Sequence, residues 1–539
     1  MTIYEISELQ LICKKWKLAV KTVIGVYKSL QYKTSYQPWS GIERRLLKTH
    51  WKTFQGHSRL MTQAIRGLVG VIDVSILARH YKDAPRIITC ENMMCTSLCS
   101  KKFTPFDLFE LLCAFPSNKI LESQEMESWI GTCLNKLDAK WIYLLIPWIL
   151  QSGYNKSTQR IIANNIIPIV QKNLKLSYKF YFECNLLTSS DHKYKSYYRS
   201  ILNRFIGMLD KKVYEMLDKS ERLLLELRHP NKLKSGNRYD FSNIRLPFDP
   251  DIIIEDIQLV NIKQLSTYTK PWIVPIKTNK GDMSILIKHD DVRKDRFVMD
   301  IIQILQQIEK DLFFKTYHVL PVTMDYGIIE MIPDSKTLYD INKTTNLSNY
   351  IIRENINKSM SVIRKVFIKS CASNCVLGYM LGIGDRNLGN ILVSKNGIMT
   401  HIDFSYILGT DPKWEELTEM RITPGMVNLL GGKDSVEFNQ LKKSCSSMYG
   451  NLKPYTFFWY TLFQYLATCQ PEIYPHSENI QDIQLHIEKR LMPEATKEEI
   501  EMNIIDIVDK NSGSHVAGWF DSIHNVTTSV QDMIFNLNI

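Results

Sequence analysis

The sequence lacks several features that would assign a function at once. No G-x-x-x-x-G-K-[ST] segment occurs in it, and no G-x-G-x-x-G segment precedes residue 288, so neither common glycine-rich phosphate-binding loop is supported. The longest apolar run, Trp141 to Leu150, contains Pro147 and is about half of the roughly 20 residues that span a bilayer. The sequence therefore predicts no transmembrane helix.

Signals for zinc binding and for export are also missing. The 11 cysteines include the close pairs Cys95/Cys99 and Cys371/Cys375, but no paired histidines lie near them, so reduced thiols are predicted rather than a zinc site. The first ten residues, MTIYEISELQ, are acidic where a signal peptide would be basic. We therefore expect a cytoplasmic chain in a reducing compartment.

The formal net charge of +11 is unevenly distributed. Residues 1–250 hold 38 Lys and Arg against 21 Asp and Glu, a net charge of +17, whereas residues 251–539 hold 29 against 35, a net charge of −6. A hydrophobic content of 45% excludes a disordered chain. Because no zinc pattern or aromatic-basic module accompanies the basic half, we predict no nucleic-acid partner, and instead a surface that faces a membrane or a protein.

Two regions differ in their hydrophobic pattern. Residues 1–230 contain apolar stretches of helical length, such as AKWIYLLIPWILQ, and predict an all-α, solenoid-like accessory domain. Residues 231–250 are rich in Pro, Gly, Asn, Asp and Ser and are predicted to be a linker.

The pattern changes to strands after the linker. WIVPIKT and MSILIK predict a hairpin, a helix follows DDVRKD, and YHVLPV and YGIIEMI predict two more strands. From about residue 359 the chain is mainly helical except between 382 and 403. The fold class predicted is α+β, with a two-lobed catalytic domain whose lobes are residues 251–333 and 334–539.

The segment from 378 to 413 carries the clearest chemical signal. Asp385 and Asn390 lie five residues apart in a loop before the strand ILV, and Asp403 follows a second strand, MTHI. Such a set can place oxygens on one or two magnesium ions and orient a hydroxyl nucleophile, as in a kinase catalytic loop. The alternative is a turn motif in which Asp385 pairs with Arg386 and Asn390 caps the backbone.

A lysine upstream favours the kinase interpretation. Lys288 ends a predicted strand, directly before an acidic segment that opens a helix. Kinases present a cation to nucleotide phosphates by holding a strand lysine with a helix carboxylate. A lone strand lysine usually faces solvent, but here the order of hairpin, helix, strand, hinge and loop supports the functional interpretation.

At these residues the chain resembles the phosphatidylinositol 3- and 4-kinases. The family's lysine and D-D-L-R-Q-D-like segment are matched by Lys288 and DDVRKD, its G-D-R-H-x-x-N by GDRNLGN, and its H-I-D-F-G by HIDFS. The segments IRLPFDPD, SYILGTDPK and MVNLLGG look most like the class III phosphatidylinositol 3-kinases. The resemblance covers about residues 245–535 and implies a kinase domain on an α-helical accessory domain.

The resemblance also implies a cofactor set, ATP with Mg²⁺ or Mn²⁺, and a role for each matching residue. By role, these are ATP-phosphate binding by Lys288 with support from Asp295, adenine contacts at Met331 and Ile332, catalytic-loop functions for Asp385, Arg386 and Asn387, metal binding by Asn390 and Asp403, and head-group contact by Lys413.

Three departures from the family pattern predict a reduced rate. Asn387 replaces the catalytic-loop histidine, and a neutral amide cannot act as a general base near neutral pH. Ser405 replaces the glycine after Asp-Phe, which restricts the backbone but leaves the carboxylate of Asp403 intact. The segment after Lys288 is one residue shorter than the family motif.

The function predicted is a lipid kinase that transfers the γ-phosphate of ATP to phosphatidylinositol at the 3-position. A 4-kinase shares the same core motifs and is the alternative. A catalytically impaired pseudokinase scaffold and a protein kinase of the phosphatidylinositol-kinase-related group are the other hypotheses. Four acidic residues between Thr410 and Met420 disfavour an extra-phosphorylated head group.

Membrane contact is expected to be peripheral, on endomembranes. An apolar stripe at helical spacing runs from Val516 to Ile534 and fits either a buried core helix or a membrane-docking one, and the family resemblance favours docking. Because no C2-type β-sandwich is recognisable before the helical region, we expect a regulatory protein partner to assist recruitment.

Overall fold

The computed structural model describes residues 124–151, 156–189, 194–234, 241–265, 269–410, 419–452 and 495–512, with short pieces elsewhere. These residues divide into two compact units. The first takes its described residues from segments 1–184, 193–209 and 455–471, and the second from 185–192, 210–454 and 472–539.

The first unit is helical, and it includes α5 up to residue 184. Its elements are α1 Gln124–Lys136, α2 Ala139–Gln151, α3 Lys156–Ile161, a π-helical turn Ile162–Ile166, α4 Ile167–Val170, α5 Leu174–Ser189 and α6 Lys195–Gly207. The predicted helix AKWIYLLIPWILQ is confirmed as α2. The π-helical turn lies just before Pro168, which has no N–H to donate to the carbonyl four residues earlier. The solenoid-like arrangement stays a prediction.

Aromatic rings and one buried hydroxyl contribute to the core of this unit. The rings of Phe180 and Phe205 lie 4.8 Å apart between centroids. The hydroxyl of Tyr198 on α6 donates to the carbonyl of Leu150 at the end of α2, at 3.0 Å, so a buried polar atom is satisfied.

The second unit contains a seven-stranded antiparallel sheet. Its strands are β1 Ile244–Leu246, β2 Asp249–Ile257, β3 Lys263–Gln264, β4 Trp272–Thr278, β5 Gly281–Lys288, β6 Val319–Thr323 and β7 Tyr326–Glu330. Their order is β1-β2-β4-β5-β7-β6, and β3 pairs with β4. The predicted hairpin is confirmed, because β4 and β5 pair without interruption from Trp272 opposite Ile287 to Thr278 opposite Gly281. A two-residue turn joins them, and Gly281 takes a φ of +104°, which favours glycine.

Two segments assigned elsewhere by the sequence analysis belong to this unit. Helix α7, Lys211–Leu227, contacts β1, and its Ser220 hydroxyl donates to the carbonyl of Arg245 at 2.7 Å. After the short α8, Pro230–Lys234, part of the predicted linker forms β1 and the start of β2. The apolar stripe of α7 is buried, so the helix gains stability by packing against β1.

Helices dominate the rest of the second unit. They are α9 Arg293–Ile308, α10 Leu338–Thr344, α11 Leu347–Glu354, α12 Met360–Leu381, α13 Pro424–Leu429, α14 Val436–Leu452 and α15 Lys497–Asn511. A three-stranded antiparallel sheet has the order β10-β9-β8, formed by β8 Ser335–Thr337, β9 Ile391–Ser394 and β10 Met399–His401. The mixed helix and sheet composition is as predicted, and the two-lobed arrangement stays a prediction. Within the described ranges, no helix is both long and apolar enough to cross a membrane.

Candidate active site

A loop between α12 and β9 carries the predicted catalytic residues. Helix α12 ends at Leu381, and Gly382, with a φ of +54°, is its left-handed C-cap and turns the chain into this loop. Asp385 also has a positive φ, +48°, which is uncommon for a residue with a side chain and recurs at functional sites.

Two amides hold the carboxylate of Asp385. The side-chain nitrogen of Asn387 donates to Oδ1 at 3.1 Å, and that of Asn390 donates to Oδ2 at 3.3 Å. Asn390 also donates to the backbone carbonyl of Asp385 at 2.9 Å. The oxygen of Asn387 accepts the N–H of Gly389 at 2.8 Å, which caps a 3₁₀ turn at Leu388–Asn390. The structure therefore brings these three side chains together and fixes the direction of the carboxylate.

Arg386 fastens this loop to the segment that follows β10. Its guanidinium is buried and donates to the carbonyls of Gly384 at 2.8 Å, Ile402 at 2.9 Å, and Asp403. It also lies 5.3 Å from the ring centre of Phe404. These contacts favour a positioning role for Arg386 over direct contact with a transferred phosphate.

Lys288 lies at the end of β5, beside three carboxylates. Its amine is 3.3 Å from Oδ2 of Asp290 and 3.8 Å from Oδ2 of Asp403, and the residue is only 6% exposed. Burial lowers the pKa of this amine, but the charges of Asp295, Asp403 and Asp290 outweigh burial and raise the pKa above its ordinary value. Lys288 is therefore a fixed cation.

The two nearby carboxylates on α9 and after β10 differ in their ionisation. Burial and the charge of Asp403 raise the pKa of Asp295 to about 6, against the opposing charge of Lys288. Burial acts to raise the pKa of Asp403 too, but the charge of Lys288, a hydrogen bond from Ser405 and the charge of Arg386 outweigh it and lower that pKa. Asp403 is thus the carboxylate that stays ionised across the neutral range.

Asp403 lies next to the metal-binding candidate Asn390. The N–H of Ile402 donates to the carbonyl of Asn390 at 3.1 Å, and Asp403 follows with a φ of +57°. Since the nitrogen of Asn390 points to Asp385, its side-chain oxygen is the atom left for a metal. One amide and one carboxylate oxygen suit a hard cation such as Mg²⁺ that takes its other ligands from phosphates and water. Across the described ranges, no cluster of three or more His, Cys, Asp or Glu side chains forms a metal site.

The predicted adenine contacts follow β7. The N–H of Met331 donates to the carbonyl of Ser284 on β5 at 3.0 Å, and both Met331 and Ile332 are partly exposed. Lys413 and the apolar stripe from Val516 to Ile534 lie outside the described residues.

Sequence reasoning missed three residues at this site. Asp290 contacts Lys288, and Arg421 donates to the carbonyl of Arg386 at 3.1 Å. His401 is buried with both ring nitrogens unpartnered, and burial depresses its pKa well below the ordinary value. The acidic segment after Lys288 was a signal for Asp290, whereas nothing local identifies the other two.

Comparison with known proteins finds similarity over part of the chain. Residues 346–471 match the model of the phosphatidylinositol 3- and 4-kinase family. The chain is 28% identical over 302 residues to "Phosphatidylinositol 3-kinase VPS34" of Candida glabrata, which is 52% of this chain and 33% of that protein. It is 27% identical over 377 residues to the Saccharomyces cerevisiae protein of the same name, covering 62% of this chain and 42% of that one.

A third similar protein is also named as a phosphatidylinositol 3-kinase. "Phosphatidylinositol 3-kinase pik3" of Schizosaccharomyces pombe is 32% identical over 235 residues, which is 40% of this chain and 28% of that protein. The matched region thus spans between about a quarter and two fifths of the length of these curated relatives.

Proposed function

Since part of the chain matches the phosphatidylinositol 3- and 4-kinase family model and the chain is similar to VPS34 proteins, we propose that it transfers the γ-phosphate of ATP to the 3-hydroxyl of phosphatidylinositol. One observation carries the proposal: the amine of Lys288, at the end of a strand of the large sheet, lies close to the carboxylate of Asp403. Arg386 connects Asp403 to the loop that contains Asp385 and Asn390 by donating to the carbonyl of Asp403. A kinase needs this combination of a cation and metal-binding oxygens beside a hydroxyl-orienting carboxylate.

Each residue then has a role in the transfer. Lys288, held charged by its acidic neighbours, binds the ATP phosphates. Asn390 and Asp403 would hold Mg²⁺, or Mn²⁺ in its place, and the metal would neutralise charge on the phosphates when bound. Asp385 orients the attacking inositol hydroxyl, because its carboxylate is fixed by two amides.

Asn387 is compatible with this mechanism. Phosphoryl transfer proceeds through a loose transition state that depends on positioning and charge neutralisation more than on a strong base. Asn387 contributes positioning through its bond to Asp385, so we expect turnover that is slower than with histidine rather than absent. Met331 and Ile332 are the proposed adenine contacts, and Arg386 positions the loop.

The substrate, location and domain layout extend this proposal. The acidic segment between Thr410 and Met420 favours unphosphorylated phosphatidylinositol, with Lys413 as its head-group contact. We propose peripheral attachment to the cytoplasmic face of endomembranes through the C-terminal stripe, assisted by a protein partner. The proposed catalytic region is two-lobed, residues 251–333 and 334–539, after a solenoid-like accessory domain predicted over 1–230 and a linker predicted over 231–250. Within those ranges, α7, α8, β1 and the start of β2 belong to the second unit.

Product analysis tests the proposal. The full chain is incubated with radiolabelled ATP, phosphatidylinositol vesicles and Mg²⁺ or Mn²⁺, and the labelled lipid is deacylated and chromatographed. We expect the 3-phosphate. A product phosphorylated only at the 4-position would refute the proposed specificity, and label on protein but not on lipid would favour a protein kinase.

Asn387 supports a second candidate, a pseudokinase scaffold that binds nucleotide without turnover. The intact set of Lys288, Asn390 and Asp403 argues against it, because a chain without catalysis has no chemical need for metal-binding side chains. Substituting Asn387→His separates the two: a rate increase means that the missing histidine limits a working enzyme, whereas nucleotide binding with no turnover in either form supports the scaffold.

A further inference from the structure

Two residues that depart from the family motifs contact each other beside the proposed metal site. Lys294 takes the position of glutamine in D-D-L-R-Q-D, and Ser405 takes the position of glycine in H-I-D-F-G. They are 111 residues apart in sequence, yet the amine of Lys294 donates to the carbonyl of Ser405 at 3.0 Å. We propose that Ser405 and Lys294 are positioning residues that hold Asp403 ready for the metal.

Ser405 holds the carboxylate directly. Its hydroxyl donates to Oδ1 of Asp403 at 2.7 Å, whereas its backbone N–H reaches the same oxygen only at 3.4 Å. A glycine at this position would leave only the long backbone bond. The hydroxyl therefore provides the shortest restraint on the Asp403 side chain, which is 42% exposed and whose other oxygen lies 3.8 Å from the amine of Lys288.

Helix α9 holds the same segment from the other side. Lys294 binds the carbonyl of Ser405, and the neighbouring Asp295 accepts the N–H of Phe404 at 3.1 Å. Two consecutive residues of the helix thus bind two consecutive residues of the segment. We call these four residues, Lys294, Asp295, Phe404 and Ser405, the α9 clamp.

The backbone accepts a side chain at this position without strain. Asp403 has a positive φ of +57°, but Ser405 does not, so it does not need the freedom of glycine. Fixing the segment before nucleotide arrives reduces the ordering that metal binding would otherwise require. The clamp therefore increases metal affinity through pre-organisation of Asp403, while Asp403 remains the ligand.

This inference rests on the proposed function for its biological meaning, but its test does not. The full chain and its variants are titrated with Mn²⁺ in the presence of a non-hydrolysable ATP analogue, and free Mn²⁺ is followed by electron paramagnetic resonance. Outer-shell partners of metal ligands typically contribute about 10- to 100-fold in affinity. We expect Ser405→Ala and Ser405→Gly to weaken Mn²⁺ binding about tenfold, Ser405→Thr to retain it, and Lys294→Met to weaken it by a smaller factor.

Matched controls are available on α12. Ser361 and Lys365 are exposed there, and Ser361→Ala and Lys365→Met should bind Mn²⁺ as the wild type does. Amide hydrogen exchange of residues 403–406, measured without ligand, provides a second readout. It should rise in Ser405→Ala and Lys294→Met and stay unchanged in both controls, and unchanged thermal unfolding would show that the variants are folded.

The outcomes separate this inference from the proposed function. Unchanged exchange in Ser405→Ala and Lys294→Met would overturn the clamp, whatever the lipid kinase assay shows. Raised exchange with unchanged Mn²⁺ affinity would overturn its role in metal binding. Weakened Mn²⁺ binding together with a wild-type chain that labels no lipid would support the clamp and reject the lipid kinase.

Discussion

Replacing the buried carboxylate of Asp295 should make the protein more stable and less active. Asp295 is 2% exposed, and burial together with the charge of Asp403 raises its pKa to about 6 from an ordinary value of 3.8. The unfolded chain ionises near 3.8, so between about pH 4 and pH 6 the folded state binds more protons than the unfolded one. The free energy of unfolding therefore falls as pH rises through this window.

The size of the effect follows from the shift. About two pKa units at about 1.4 kcal/mol per unit give about 3 kcal/mol of stability lost by the wild type on going from pH 4 to above pH 6. Asp295→Asn removes the charge while its amide oxygen can still accept the N–H of Phe404. The variant should thus gain up to about 3 kcal/mol relative to the wild type above pH 6.

The activity should change in the opposite direction. Asp295 is the largest of the charges that keep Lys288 protonated and in place, so its loss should raise the KM for ATP several-fold. Urea unfolding of both proteins at pH 4.5 and 7.5, with Asp311→Asn as an exposed control on the loop after α9, measures the stability difference. A difference that does not change with pH, or a variant that loses stability at pH 7.5, would refute the reasoning.

Four further predictions concern single residues. Lys288→Met should lower the rate of lipid labelling by about 10²- to 10³-fold because the fixed cation is lost, and a rate within tenfold of wild type would contradict this. Asn387→Ala should lower kcat about tenfold by freeing the carboxylate of Asp385, with little change in the KM for ATP in steady-state assays. Gly382→Ala should cost about 2–4 kcal/mol in urea unfolding, because φ is +54° and a Cβ would lie 2.7 Å from the nitrogen of Gly409; a cost under about 1 kcal/mol would contradict this. Burial depresses the pKa of His401, so only the unfolded state takes up a proton as pH falls below about 6.5. The wild type should therefore lose stability relative to His401→Leu between pH 7.5 and 5.5. Parallel pH profiles of stability for the two proteins would contradict this prediction.

Local patterns predicted much of the fold. The alternation in WIVPIKT and MSILIK and the turn between them specified the hairpin of β4 and β5, because alternating side chains and turn residues act locally. The placement of α7 against β1 could not be predicted, since an amphipathic stripe shows that a helix is buried but not which surface covers it. Strand β1 is only three residues long and is followed directly by Pro247, so its pairing with β2 depends on the sheet rather than on its own composition.

The site was predictable where chemistry needs a particular residue type. Lys288, Asp385, Asn390 and Asp403 stand at positions that a phosphoryl-transfer site requires, and Lys288 and Asp403 indeed come within 3.8 Å. The binding of Arg386 to backbone carbonyls was not predictable, because a guanidinium beside an acidic loop suggests phosphate contact equally well.

Contacts that join distant segments were beyond sequence reasoning as well. Lys294 reaches Ser405 across 111 residues, and no local pattern records such a contact. In the sequence, Ser405 was visible only as a departure from the family motif, and Lys294 only as a lysine where D-D-L-R-Q-D has glutamine. Their contact gave those departures a common physical interpretation, because each restrains the segment that carries the metal-binding carboxylate.

The most direct test of the account is the initial rate of phosphate transfer from radiolabelled ATP to phosphatidylinositol vesicles, measured for the wild type and for Asp403→Ala with Mg²⁺ and with Mn²⁺. The account predicts labelled phosphatidylinositol 3-phosphate from the wild type and a rate at least about 100-fold lower from the variant, because the ionised metal-binding carboxylate is lost. Equal labelling by the two proteins, or no labelling by a wild type that is folded and binds nucleotide, would contradict it.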